Sequence, residues 1–167
     1  MDSHLQRLQR ELEETIAGAT PADLARGPAG KWTPAEILEH LYITYKNTNR
    51  GVHKCIEKGS PLATRATLRH RVATLLITRF GYVPSGFPAP ERTRPQGMPA
   101  EQVLRDIFSE LDRMDSGLAD LENKFGSATK VMDHPLLGPL TAEQWRKFHL
   151  AHGRHHARQI RERLTRA

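Results

Sequence analysis

Four histidines lie within eight residues near the end of the chain, in the stretch FHLAHGRHHARQI at 148–160. His152 and His156 are four residues apart, so in a helix their rings lie on one face, one turn apart. Two imidazole nitrogens placed in this way can bind a single divalent ion. Trp145 and Phe148 share that face, which should therefore point into the core. The pair predicts half of a metal site; the alternative is that both are ordinary buried histidines.

A third ligand has to come from another helix. His149 lies seven residues, or about 10 Å along the helix axis, from His156, which is too far for both to join His152 on one ion. His40, in the stretch AEILEHLYITY, flanks the apolar face of a predicted helix and is the best placed of the other histidines. No carboxylate is positioned as a general base, because Glu36 is explained as a helix cap and Glu39 is expected to face outward.

Capping residues and apolar residues spaced by three or four define the elements that must position these histidines. No stretch of the chain alternates convincingly as a strand, and DHPLLGPL is interpreted as a loop. Five prolines in the nineteen residues 81–99 predict a long loop there. The predicted helices cover about residues 3–18, 33–58, 64–80, 99–126 and 142–165, with one short helical turn starting near Pro21.

This pattern predicts an all-α protein, a four-helix bundle with one long crossover connection and an extra short helix. The 167 residues are enough for one sizeable core, so residues 1–167 are expected to form a single domain. No membrane span is expected, because charged residues interrupt every apolar stretch. The acidic N-terminal segment does not resemble a signal peptide and Cys55 is the one cysteine, so we expect a cytoplasmic protein.

The net charge of +6 raises a different interpretation. Lys147, Arg154, Arg158 and Arg161 share the outer face of the last predicted helix, and such a face can bind nucleic acid. A solvated surface is the more common meaning of this pattern, and no nucleic-acid-binding motif accompanies it. A nucleic-acid partner therefore ranks well below a metal site.

Two segments together resemble the DinB/YfiT-like superfamily of helical-bundle metalloproteins: KWTPAEILEHL, and HPLLGPLTAEQWRKFHLAHGRHHARQI much later. The family pattern has a capped helix start after a tryptophan, an HL on the second helix and an HxxxHxxQI on the last. The resemblance places the metal ligands on His40, His152 and His156. Gln159 matches the glutamine of this pattern, where it either contacts a ligand histidine or only packs. His149 and His155 are additional histidines, interpreted as neighbours of the ligands.

Three imidazoles suit zinc, nickel, iron or cobalt better than magnesium or calcium. The resemblance implies a small-molecule substrate and one of two activities, a metal-dependent hydrolase or a transferase that uses a low-molecular-weight thiol as cosubstrate. It also implies a homodimer. A non-catalytic metal-binding scaffold or sensor is the alternative. The Pro-rich segment departs from simple members of the family, so nothing about substrate recognition follows from it.

Overall fold

Four long helices carry the fold, and their order agrees with the sequence-based prediction. The computed structural model describes residues 3–83 and 89–165. In these residues the chain forms α1 (His4–Ile16), α2 (Pro21–Ala25), α3 (Pro34–Lys58), α4 (Leu68–Phe80), a one-turn 3-10 helix (Glu91–Thr93), α5 (Ala100–Phe125), strands β1 (Lys130–His134) and β2 (Gly138–Thr141), and α6 (Ala142–Leu164). The all-α prediction is confirmed.

The two helices that carry the candidate ligands begin at the predicted caps. At the start of α3, the Thr33 hydroxyl accepts a hydrogen bond from the Glu36 backbone N–H, and the Glu36 carboxylate accepts one from the Thr33 N–H. Thr141 and Gln144 form the same reciprocal pair at the start of α6. Each pair satisfies two backbone donors that a helix start would otherwise leave open. The first turns of α3 and α6 are therefore fixed by local sequence.

The long helices pack in two pairs, α3 against α5 and α1 against α6. Gly117 of α5 lies against Val52 of α3, where an added Cβ would come within 2.6 Å of a Val52 methyl carbon. Gly153 of α6 lies even closer to a methyl carbon of Leu8 of α1. Because these glycines have no side chain, α5 can pack closely against α3 and α6 closely against α1. No helix in the described ranges is both long enough and apolar enough to cross a bilayer.

The absence of strands between residues 126 and 141 was predicted wrongly. β1 and β2 form an antiparallel pair in which Met132 lies opposite Leu140 and His134 opposite Gly138, with an irregularity near Lys130. The strands have five and four residues, too few for an alternating pattern to be recognised. Pro139 makes the second strand harder still to predict, because proline is rare inside paired strands.

α4 has an exposed apolar surface. The predicted helix starts a few residues later than expected, at Leu68, because Thr67 is its cap. Several of its large apolar side chains are exposed, including Leu68 at 78% and Phe80 at 70%. Of the described α4 residues only Thr74 is buried. α4 therefore lies on the outside of the bundle with an apolar stripe facing outward.

Candidate metal centre

The structure brings together the three histidines that the sequence singled out. Nε2 of His152 lies 3.1 Å from Nε2 of His156 and 3.4 Å from Nε2 of His40. The potential ligand nitrogens of all three lie within 4.8 Å of one another. His40 comes from α3 and the other two come from successive turns of α6, so the site bridges these helices. His40 and His156 are buried and His152 is half-buried.

The outer ring nitrogen of His40 is held by the Pro-rich segment. Nδ1 of His40 lies 2.7 Å from the backbone carbonyl oxygen of Thr93. A carbonyl can only accept a hydrogen bond, so Nδ1 must carry the proton and donate. The neutral ring then has its lone pair on Nε2, which faces the other histidines. Part of the predicted loop therefore orients one candidate ligand.

Gln159 binds the outer ring nitrogen of His156 in a similar way. Its Oε1 lies 2.9 Å from Nδ1 of His156, and its Nε2 lies 3.0 Å from Nε2 of His155. If the amide oxygen accepts from His156, the amide nitrogen is free to donate to His155, so the two contacts agree. Of the two alternatives for Gln159, contact with a ligand histidine is the one that the structure shows. His155 is half-buried and points to Gln159.

His152 is fixed by packing. Its ring stacks on Phe148 at 5.4 Å between centroids, with 15° between the planes. Its Nδ1 is buried and has no hydrogen-bond partner in the described part of the chain. The other ring nitrogen of His152, Nε2, is the one that lies close to His40 and His156.

Electrostatics keep all three rings neutral. Burial is the main cause that lowers the pKa of each, and the neighbouring imidazoles lower the pKa of His152 and His156 further. The pKa of His156 falls to about 3. Neutral imidazole is the form that binds a metal, so protons do not compete for these nitrogens near neutral pH.

The donor set fits a transition-metal ion. Two of the three rings have their Nδ1 proton committed to an outer acceptor, which leaves their Nε2 lone pairs facing the centre. Such outer hydrogen bonds are typical of histidines that bind metals. Lone pairs facing one another in a buried place repel, and a cation between them removes that cost. His40, His152 and His156 can therefore hold one divalent ion.

His149, which the sequence suggested as a neighbour of the ligands, precedes His152 by three residues in α6. It is fully buried, and its Nε2 lies 3.1 Å from Oγ1 of Thr48. The Thr48 hydroxyl in turn donates to the backbone carbonyl of Thr44. Burial lowers the pKa of His149 to about 3. His149 is a structural residue that connects α6 to α3.

The outward orientation expected for Glu39 is wrong. Its side chain is buried, with the residue 2% exposed. Its two carboxylate oxygens accept hydrogen bonds from the backbone N–H groups of Gln96 at 2.7 Å and Gly97 at 3.1 Å. The helical pattern around Glu39 could not reveal this, because the segment that covers it lies more than fifty residues later in the chain.

One comparison with known proteins gives a match. A model of the DinB superfamily matches residues 4–160, a span that includes all three clustered histidines, Glu39 and Gln159. Neither a curated protein nor a solved structure matches the chain significantly.

Proposed function

Because this chain belongs to the DinB superfamily, we propose that it is a metal-dependent enzyme that holds one divalent ion on His40, His152 and His156. The observation that carries the proposal is the approach of three Nε2 atoms, with 3.1 and 3.4 Å between neighbours. The outer contacts of His40 and His156 support it, because each sets the tautomer that a metal requires.

The ion is zinc, nickel, iron or cobalt, since all three ligands are nitrogens. When bound, such an ion lowers the pKa of a coordinated water or stabilises a thiolate. Three protein ligands leave a coordination position open, which is typical of catalytic rather than structural sites. The protein residues position the ion from two helices and exclude water from the ring faces, through Phe148 on His152 and Trp32 near His40.

Of the two activities, the transfer or use of a low-molecular-weight thiol is the better supported. Within the described residues, the cluster around the candidate ion contains three histidines and no carboxylate, so the cluster itself supplies no carboxylate as general base for a hydrolase. A thiolate has less need of such a base. Residues 54–97 contain eight Lys or Arg against two acids, a charge that suits an acidic thiol cosubstrate. The substrate itself is a small molecule.

The test combines metal analysis with turnover. Protein purified without chelators should contain about one transition-metal ion per chain, and alanine at any of the three histidines should remove it. Metal-loaded protein should consume thiol in the presence of electrophilic substrates, and the same variants should not. Hydrolysis of ester or amide substrates without thiol would favour the hydrolase instead. A metal-free protein that takes up no zinc, nickel, iron or cobalt would contradict the proposal.

A non-catalytic scaffold or sensor would retain the metal without turnover, so the same screen separates it from the enzyme. The nucleic-acid-binding alternative has less support. Arg154 is paired with Glu11, with 2.8 Å between Nε and Oε1, and Lys147 lies 3.3 Å from Glu143. Two of the four basic residues of that face therefore already have acidic partners. Retention on DNA or RNA that decreases steeply with salt would revive this alternative.

We also propose that the chain is a homodimer that uses the exposed stripe of α4. Leu68, Val72, Leu75, Leu76 and Phe80 are between 41% and 78% exposed. A two-fold axis beside α4 would bring this stripe from two copies together, so that each covers the other. Sedimentation equilibrium should give a dimer, Leu75→Asp should give a monomer, and the control Leu136→Asp, on another exposed leucine, should remain dimeric. A monomeric parent protein would contradict the dimer.

The proposals on domain structure and location are simpler. Buried residues of α1, α3, α5 and α6 belong to one continuous core, which supports a single domain over residues 1–167. One cooperative unfolding transition is expected. The free cysteine Cys55 agrees with a cytoplasmic location, to be tested by fractionation of cells that express the tagged protein.

A further inference from the structure

Glu39 and His40 are adjacent in α3, and both bind the same short segment, residues 91–97. His40 donates from Nδ1 to the Thr93 carbonyl, and Glu39 accepts from the N–H groups of Gln96 and Gly97. Two successive backbone N–H groups that point at one carboxylate form a small anion-binding nest. The nest requires Gly97, whose φ of +84° is in the left-handed region. Glu39 therefore fastens the end of this segment to α3.

The segment between these contacts has little freedom. The Thr93 backbone N–H and hydroxyl both donate to the Pro90 carbonyl, at 2.8 and 2.9 Å. The Arg92 carbonyl accepts a hydrogen bond from the Asn47 side chain at 3.3 Å. The segment is thus tied to α3 on both sides of Thr93, by Asn47 before it and by Glu39 after it. The Thr93 carbonyl that contacts His40 lies between these ties.

We propose that Glu39 is a positioning residue for the metal site, acting through the segment that it anchors. By holding Gln96 and Gly97, Glu39 keeps the Thr93 carbonyl on Nδ1 of His40, and so keeps the lone pair of His40 on Nε2, toward the centre. This inference rests on the proposed metal site. It also assigns a role to the Pro-rich segment, which supplies the outer partner of a ligand from a distant part of the sequence.

The charge of Glu39 matters as well as its shape. A carboxylate accepts both N–H groups, whereas an amide accepts one and turns its own NH₂ toward the other. Glu39→Gln should therefore break one tie and Glu39→Ala both. Glu110 offers a matched control: it is also buried, and its carboxylate bonds to Asn49 and Arg113. Asn49 is nine residues from His40 along α3, or about 13 Å, so Glu110→Gln should leave the metal site undisturbed.

The first arm uses metal-free protein. Long-range ¹H–¹⁵N correlation spectra report which ring nitrogen of His40 carries the proton. The parent protein and Glu110→Gln should show the Nδ1–H form, and Glu39→Ala should show a mixture in which the Nε2–H form gains. A loss of stability alone would not change this ratio while the protein remains folded. Glu39→Gln should show an intermediate ratio, and it serves in place of the alanine variant if that variant does not fold.

The second arm measures zinc affinity by competition with a chromophoric chelator. Loss of an outer hydrogen bond to a ligand histidine typically weakens metal affinity by about 10- to 100-fold. We expect a loss of this size for Glu39→Ala, a smaller one for Glu39→Gln, and none for Glu110→Gln. An unchanged tautomer ratio and unchanged affinity in both Glu39 variants would overturn the inference while leaving the metal site intact. If the parent protein binds no zinc, the proposed function fails, and the tautomer ratio alone decides the role of Glu39.

Discussion

Nε2 of His152 lies 3.1 Å from Nε2 of His156, one turn along α6. At most one proton can lie between these two nitrogens, and His156 already has its Nδ1 proton directed at Gln159. The third nitrogen, from His40, approaches the same point. The outer contacts of His40 and His156 leave both of their Nε2 lone pairs directed at this point, which is costly without a cation, and this cost links metal binding to the stability of the bundle.

Zinc should therefore stabilise the fold. At a free zinc concentration 100 times the dissociation constant, the free energy of unfolding should rise by about 2.7 kcal/mol. His152→Ala should abolish this gain. Chemical unfolding with and without zinc measures it, and an equal gain in the alanine variant would show that zinc acts at another place.

Gln159→Leu should weaken zinc binding by about 10- to 100-fold, because His156 loses the acceptor that fixes its tautomer. The free energy of unfolding of the metal-free protein should change little, because Gln159 is only half-buried. A competition titration measures the affinity. Gln9→Leu is the control, because the side chain of Gln9 bonds to Glu13 within α1 and not to a histidine. Equal affinities in the two variants would exclude a role for Gln159 at the site.

Metal-free protein should lose stability in mild acid. Burial lowers the pKa of His149 to about 3 and of His134 to about 4, whereas an unfolded histidine titrates near 6.5. The unfolded chain therefore binds more protons than the folded chain below about pH 6.5, so the stabilising contribution is complete above that pH and decreases as the pH falls. Each such histidine contributes a slope of about 1.4 kcal/mol per pH unit.

Denaturant unfolding at about pH 7, 6 and 5 checks this slope. His149→Gln should reduce the slope by about 1.4 kcal/mol per pH unit, because one buried neutral imidazole is gone. His53→Gln is the control that removes an exposed histidine, since the side chain of His53 is 71% exposed. If His149→Gln and His53→Gln change this slope equally, the burial of His149 does not explain the loss of stability in acid.

The glycine contact between α3 and α5 gives a prediction on packing alone. Alanine normally stabilises a helix interior by about 1 kcal/mol relative to glycine. At Gly117, however, the new methyl group meets the stiff side chain of Val52, so Gly117→Ala should destabilise the protein by about 1–3 kcal/mol. Gly51→Ala is the control, because it meets only the flexible end of Met132. If Gly117→Ala and Gly51→Ala change the free energy of unfolding equally, then α3 and α5 are not tightly packed at Val52.

The sequence predicted the features that depend on local pattern. Spacing along one helix placed His152 and His156 together, and capping residues placed the starts of α3 and α6. Spacing along one helix could not identify His40, because α6 lies about a hundred residues later in the chain. Its position beside the apolar face of α3 and the family resemblance together indicated it. Helix periodicity and capping residues are local patterns, which a single sequence records well.

The features that were missed depend on contacts between distant segments. Glu39 has the sequence neighbourhood of an exposed residue, and it is buried only because residues 96 and 97 return to cover it. The pairing of β1 with β2 is likewise non-local. The sequence predicted a helix near residues 64–80 but not the exposure of its apolar residues, because periodicity alone cannot distinguish a buried face from an exposed one.

The most direct test of the metal site is a zinc titration of metal-stripped protein by calorimetry, with alanine variants of the three histidines and His53→Ala as a control on α3. The parent protein and the control should bind one zinc ion per chain. Each of His40→Ala, His152→Ala and His156→Ala should lose at least about 100-fold in affinity, because two imidazoles cannot replace three. Undiminished binding in all three variants, or no binding in the parent protein, would contradict the three-histidine site.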